Sequence, residues 1–245
     1  MFHNLSNTTK AFLFFGLAFG LTLSVSLLQP LLGEATMFLH MFTPTAATLL
    51  MLLVFTREGY TRAGWSSLGL HRSGWRWWGL ALLGPLAILT AVYGVVWMSG
   101  VGNPAMPQGF TPVSLLLELL ATLVINTLFA IGEEIGFRGY LLPRLEHLGT
   151  TRALVLGGLM FGSWHFPLML LTPVYPIHGS WLIVGPIVLV TLTAAGAFYG
   201  SLRLSSDSVW PATIAHGAIN SYFKMFGLIT VTSSPLLLEY LAGET

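Results

Sequence analysis

Apolar runs of roughly span length recur along the chain, separated by short polar stretches. They fall near 11–32, 36–55, 77–98, 113–135, 153–171, 181–202 and 209–231. Each approaches the roughly 20 residues a helix needs to cross the hydrocarbon core of a bilayer. The pattern predicts seven spans, with an eighth if a long run is split or if Leu236 to Ala242 forms a re-entrant piece. Pro30, Pro85 and Pro186 lie inside runs and predict kinks, which neighbouring helices can accommodate. Gly157-Gly158, Gly162-Ser163 and Ala194-Ala195-Gly196 mark places where helices can pack closely. The first run is long enough to span, and no small-residue cleavage site follows it, so it reads as a first span. No internal repeat or low-complexity linker divides the chain.

Composition agrees with this pattern. Of 245 residues, 54% are hydrophobic and only 8% are charged, against about a quarter charged in a soluble domain. The expectation is an all-α, polytopic bundle of about seven or eight transmembrane helices around a cavity open to the cytoplasmic side. It forms a single transmembrane domain, with motif-free N-terminal spans over 1–112 and a core over 113–225. The formal net charge of +1 comes without a dense basic patch, so no nucleic-acid partner is implied. The absence of cysteine removes disulfides, thiol catalysis and Cys-ligated metal. Lys10, Arg57, Arg62, Arg72, Arg76, Arg138, Arg144, Arg152 and Arg203 all fall on one side of a seven-span topology. That side is then cytoplasmic, with the N-terminus inside and the C-terminus outside. Trp65, Trp75, Trp77 and Trp78 read as an interfacial belt around the basic loop. Short loops and spare composition suggest a prokaryotic plasma membrane.

Ionisable residues inside the apolar runs are few, and at membrane depth they are functional-site candidates. Three pieces stand out: Glu133-Glu134-x-x-x-Arg138, Phe161-Gly-Ser-Trp-His165, and His216-Gly-Ala-Ile-Asn220. On a helix, Glu134 and Arg138 form an i,i+4 pair, and Glu133 turns about 100° away. His216 and Asn220 share a face one turn apart, as do Phe161 and His165. Two carboxylates, two imidazoles and an amide from three spans suit hydrolysis of a peptide bond. A desolvated carboxylate is a stronger base than one in water, and Asn220 with the second histidine can donate to an oxyanion. Arg138 would neutralise and hold Glu134. Alternatively Glu133, His165 and His216 form an O,N,N zinc-ligand set with an open position for water. The spacing alone does not separate the two, nor does it decide which glutamate is the base.

Exclusions narrow the chemistry. Asp207 is the single aspartate, so an aspartyl dyad is impossible. No His-Glu-x-x-His helix and no Gly-x-Ser-Gly pattern occurs. A protease built on this chain must use Glu and His.

The three motifs together, in this order and spacing and on successive spans, resemble the CPBP family of intramembrane proteases. That family includes the CAAX prenyl endopeptidases and bacterial bacteriocin-processing and self-immunity proteins. The resemblance covers roughly residues 113–225 and implies a bundle of about eight membrane helices around a conical cavity. It further implies that Glu133 and His165 activate water and that His216 and Asn220 form an oxyanion site. The family is commonly classed as metallopeptidases, so zinc is a candidate cofactor. The implied partners are the bilayer and a peptide or protein substrate, lipidated or not; nothing in the chain indicates prenylation.

Several polar residues have plainer readings. Phe161 reads as pocket packing, and Trp164 as a cavity wall or a core aromatic. Glu118 and Asn126 lie before the site on the same run and would extend a polar channel or serve structure. Lys224 either snorkels outward or pairs within the bundle. His40, His147 and His178 read as interfacial or loop residues. Two rival functions stand beside a protease: a proton-coupled transporter using Glu133, Glu134 and the histidines as a relay, and a non-catalytic scaffold or immunity protein.

Overall fold

The computed structural model describes residues 5–175, 177 and 179–242. The chain is an all-α bundle. Its principal helices are α1 (Asn7–Leu27), α2 (Ala35–Leu50), α3 (Trp78–Met98), α4 (Pro112–Glu134), α5 (Thr150–Trp164), α6 (Trp181–Ser206), α7 (Trp210–Leu228) and α8 (Pro235–Ala242). Several run on through short turns, so the continuous helical stretches are Ala35–Phe55, Trp75–Met98, Pro112–Leu148 and Thr150–Leu171. Together with α1 and α6 they make six helices long and apolar enough to cross a membrane among the described residues.

The seventh predicted span is present as α7, but it falls short of the apolarity of the other six. It carries His216, Asn220, Ser221 and Lys224 and is packed against α4, α3 and α6, so protein covers much of its length. The re-entrant piece foreseen near Leu236 is the short helix α8, which packs on α3 and α6.

Local chemistry sets the ends. Thr111 and Ser114 form a reciprocal capping box at the start of α4, with Pro112 in its first turn, where a missing N–H costs nothing. The Ser6 hydroxyl accepts from the Thr9 N–H at the start of α1. α4 also shows how the bundle sorts its faces. Leu116, Leu117, Leu120, Val124 and Leu128 are exposed on its outer face. Thr122, Ala130, Gly132, Glu133 and Glu134 turn inward.

Two crossings fix the helices around the site. A Cβ on Gly217 would stand 2.5 Å from the Thr127 backbone nitrogen, so α7 lies directly against α4 there. A Cβ on Gly158 would stand 2.5 Å from the Thr193 carbonyl oxygen, and one on Gly196 would stand 2.9 Å from the Gly158 Cα. That second crossing brings α5 onto α6 at two of the small-residue clusters singled out in the sequence, as membrane helix pairs require.

The basic residues gather at one end of the bundle. Lys10 pairs with Glu58 at 2.7 Å, and Arg144 pairs with the other oxygen of the same carboxylate. Arg203 donates to the Ser67 carbonyl, and Arg72 pairs with Asp207. Exposed Trp65, Trp75 and Trp78 ring this end. The opposite end is tied by a short antiparallel ladder of Asn103–Pro104 with Thr230–Val231.

Candidate active site

Glu133 and Glu134 close α4, and the chain continues at once into a wide helical turn, Ile135–Leu141, with i→i+5 character. Such turns re-aim side chains and are frequent at functional sites. Here one glutamate faces the cavity and the other faces the bundle core. Glu134 is fully buried. Its Oε1 accepts from Arg138 Nη1 at 2.9 Å and from His216 Nδ1 at 2.9 Å. Arg138 is in turn caged by aromatics, with its guanidinium carbon 4.3 Å from the Phe161 ring centroid and 5.0 Å from that of Tyr199. The i,i+4 pair read from the sequence is therefore formed, and α7 joins it through His216.

Glu133 lines the cavity. Its Oε2 stands 3.9 Å from His165 Nε2 and 4.0 Å from His216 Nε2. These gaps are too long for direct hydrogen bonds and match the reach of one bridging water. The other nitrogen of each imidazole is already engaged. His165 Nδ1 donates to the Phe161 carbonyl at 2.9 Å, and a carbonyl only accepts, so Nε2 carries the lone pair in the neutral ring. His216 Nδ1 donates to the Glu134 carboxylate, by the same logic. Phe161 packs edge-on to both rings, at centroid distances of 4.8 Å for His165 and 5.8 Å for His216. Asn220, one turn on from His216, also lines the cavity.

The cavity has a volume of about 540 Å³. None of the basic-end loop residues lines the cavity, and the loop bearing buried Leu68 packs on Gly139. The exposed lining residues lie on α3, α6 and α8.

Other sequence readings resolve as follows. His40 is not interfacial: it is 1% exposed, stacked on Trp164 at 3.9 Å and 5.6 Å from the His165 ring. Its burial on α2 follows from the Thr22–Thr43 hydrogen bond and from Trp164 Nε1 donating to Thr43, which draw α1, α2 and α5 together. Trp164 is a core aromatic outside the cavity lining. His147 is exposed and bonds Thr8, as a loop residue would; His178 lies outside the described residues. Lys224 pairs with Glu118 at 2.7 Å, and Asn126 donates to Ser221 at 3.0 Å. These contacts tie α4 to α7 and do not extend the cavity. Tyr199, stacked on His216 at 5.0 Å, carried no sequence motif. The only hint was its place among the small residues Gly196 and Gly200.

Among the described residues, no group of three or more His, Asp or Glu is arranged to hold a metal ion. Tetrahedral bonds of about 2 Å place neighbouring ligands roughly 3.3 Å apart. Glu133 Oε2 stands farther than that from both nitrogens, at 3.9 and 4.0 Å. As placed, the three do not fit zinc without drawing together.

No curated protein matches the chain. A family model described as type II CAAX prenyl endopeptidase Rce1-like matches residues 112–222, the stretch that holds all three motifs. Over residues 112–222 the chain is thus similar to the CAAX-type intramembrane proteases.

Proposed function

We propose that the chain is an intramembrane endopeptidase that hydrolyses a peptide bond in a membrane-associated or lipidated protein or peptide. The observation that carries this reading is the convergence of Glu133 Oε2 with two imidazole Nε2 atoms, at 3.9 and 4.0 Å, on the wall of a 540 Å³ cavity. Positive charge gathered at one end favours a cytoplasmic basic end and N-terminus.

In this reading Glu133 takes a proton from a water that also hydrogen-bonds His165 Nε2, and the hydroxide oxygen adds to the scissile carbonyl carbon. Negative charge moves to the carbonyl oxygen. Asn220 Nδ2 and a protonated His216 Nε2 donate to that oxyanion. The buried Glu134 carboxylate accepts from His216 Nδ1 and so orients the ring, and Arg138 fixes Glu134 in place. When the C–N bond breaks, the proton held by Glu133 passes to the leaving amine. This division makes Glu133 the base and Glu134 its support.

The test is metal content and cleavage on one sample. Activity without bound metal, lost in Glu133→Gln and His165→Ala, supports water activation by Glu and His. Zinc near one per chain, with activity lost on chelation and restored by metal, overturns that step in favour of a zinc-bound water on Glu133, His165 and His216. Failure to cleave any peptide moves the reading to a scaffold or immunity protein.

A further inference from the structure

We propose that a groove at the basic end of the bundle binds the phosphodiester headgroup of an anionic phospholipid. The groove is separate from the cavity that holds Glu133, and nothing in it depends on the proteolytic reading. One wall is the turn 72–77, which leads into α3; the other is Ser205 and Ser206 at the end of α6.

Bonds behind the groove fix both walls. The Val209 N–H donates to the Gly69 carbonyl at 3.2 Å, Trp210 Nε1 to the Leu70 carbonyl at 3.0 Å, and the Ser208 hydroxyl to the Arg72 carbonyl. Trp78 Nε1 donates to the Ser73 carbonyl at 2.9 Å. Gly74 turns the chain at φ +62°, and a Cβ there would stand 2.7 Å from the Pro211 ring. The loop before α3 is thus bound to the turn between α6 and α7 before any ligand arrives, so binding orders little.

The groups that face into the groove are left over from this scheme. Arg76 and the hydroxyls of Ser73 and Ser205 line it, and none of the three has a hydrogen-bond or ion-pair partner among the described residues. A guanidinium fork with hydroxyl donors beside it suits the oxygens of a phosphate. Arg72 also lines the groove, but Asp207 pairs with it at 2.7 Å. The charge left to spare is that of Arg76, which matches the single negative charge of a phosphodiester.

The surroundings favour a lipid over a free phosphate. Trp75 and Trp77 share the lining, and Trp75 is 69% exposed; tryptophan concentrates at headgroup level. The helix Trp75–Met98 is long and apolar enough to cross a membrane. Leu80 and Leu83 lie four and seven residues beyond Arg76, on the same face of that helix, and are 48% and 64% exposed. A phosphate at Arg76 therefore sits at the head of an apolar track that acyl chains can follow.

The purified chain in mild detergent is titrated with dioleoyl phosphatidylglycerol and followed by native mass spectrometry, with dioleoyl phosphatidylcholine and inorganic phosphate alongside. Phosphatidylglycerol is expected to bind at least about fivefold tighter than phosphatidylcholine, whose choline cancels the phosphate charge. Arg76→Gln should weaken phosphatidylglycerol about tenfold, the loss of one charge-assisted contact. Ser205→Leu fills the groove without changing its charge and should weaken it by a similar factor. Both side chains are exposed and unpartnered, so the thermal midpoint of the lipid-free variants should stay within a few degrees of wild type. Arg62→Gln removes another exposed arginine of the basic loop, outside the groove, and should stay within about twofold. An equal loss in Arg62→Gln, or no preference for phosphatidylglycerol, would reduce the effect to general surface charge and overturn the groove. Unchanged binding in Arg76→Gln and Ser205→Leu would overturn it as well. Displacement of phosphatidylglycerol by inorganic phosphate at similar concentration would overturn the lipid as occupant in favour of a free phosphate.

Discussion

Glu133 and Glu134 are neighbours in sequence with opposite partners, and their substitutions should separate accordingly. Glu133 Oε2 has no hydrogen-bond partner among the described residues. Glu133→Gln is close to isosteric and should leave the thermal midpoint in detergent within a few degrees while abolishing cleavage. Glu134 is the shared acceptor of Arg138 and His216. Glu134→Ala strands a guanidinium that is 3% exposed, and loss of one partner from a buried pair costs about 3 kcal/mol or more. Thermal unfolding should show that loss alongside lost activity. If the two variants were equally stable, the supporting role of Glu134 would be wrong. His40 is tested at the same scale. Its ring stacks on Trp164, whose neighbour His165 faces Glu133. His40→Ala should lower kcat about tenfold by loosening His165, since small misplacements of a reacting group are costly. His40→Phe keeps a flat ring against Trp164 and should recover most of that rate. Equal loss in both variants would show that the imidazole nitrogens, rather than the stack, matter.

At the level of elements, α7 is held where its histidine is useful by contact of backbone on backbone. A Cβ on Gly217 meets Thr127 N at 2.5 Å and Thr127 Cα at 2.6 Å, neither of which can swing away as a side chain would. Gly217→Ala should therefore push α7 from α4 and cost about 2 kcal/mol, in the range of overpacked cores. It should also reduce cleavage, because His216 lies one residue away. Gly16, in α1, has open space around its Cβ position. Gly16→Ala should be neutral or stabilising by up to about 1 kcal/mol, from helix propensity alone. Thermal unfolding of the two alanine variants side by side checks the contrast; a neutral Gly217→Ala would mean that the helices can part without cost.

At the scale of the whole molecule, what was legible in the sequence was whatever repeats with the bilayer or the helical turn. The spans appear near the places where hydrophobic runs put them, because roughly 20 apolar residues leave the backbone no other solution in lipid. Glu134–Arg138 and His216–Asn220 follow from helical spacing. The stacking of His40 on Trp164 and of Tyr199 on His216 joins residues far apart in sequence, which no period encodes. The basic end shows one more long-range bond of this kind. Glu58 binds Lys10 of α1 and Arg144 beyond α4, so one carboxylate ties the first helix, the basic loop and the stretch that follows α4 together. Partial burial works against its charge, but hydrogen bonds and attraction from Lys10 and Arg144 prevail and hold its carboxyl below the ordinary value of 4.5. A carboxyl lowered by folding stabilises the fold above its unfolded pKa, and that contribution drains away as pH falls through 4.5 toward the folded value. The stability difference between the wild-type chain and Glu58→Gln should thus be constant from neutral pH down to about pH 5.5. Below that it should shrink steadily, because the unfolded carboxyl begins to bind protons before the folded one does. Thermal unfolding in detergent across that range reads it directly. A difference that grew on acidification would mean that folding raises the Glu58 pKa, and the three-way tie at the basic end would then not be the source of its stability.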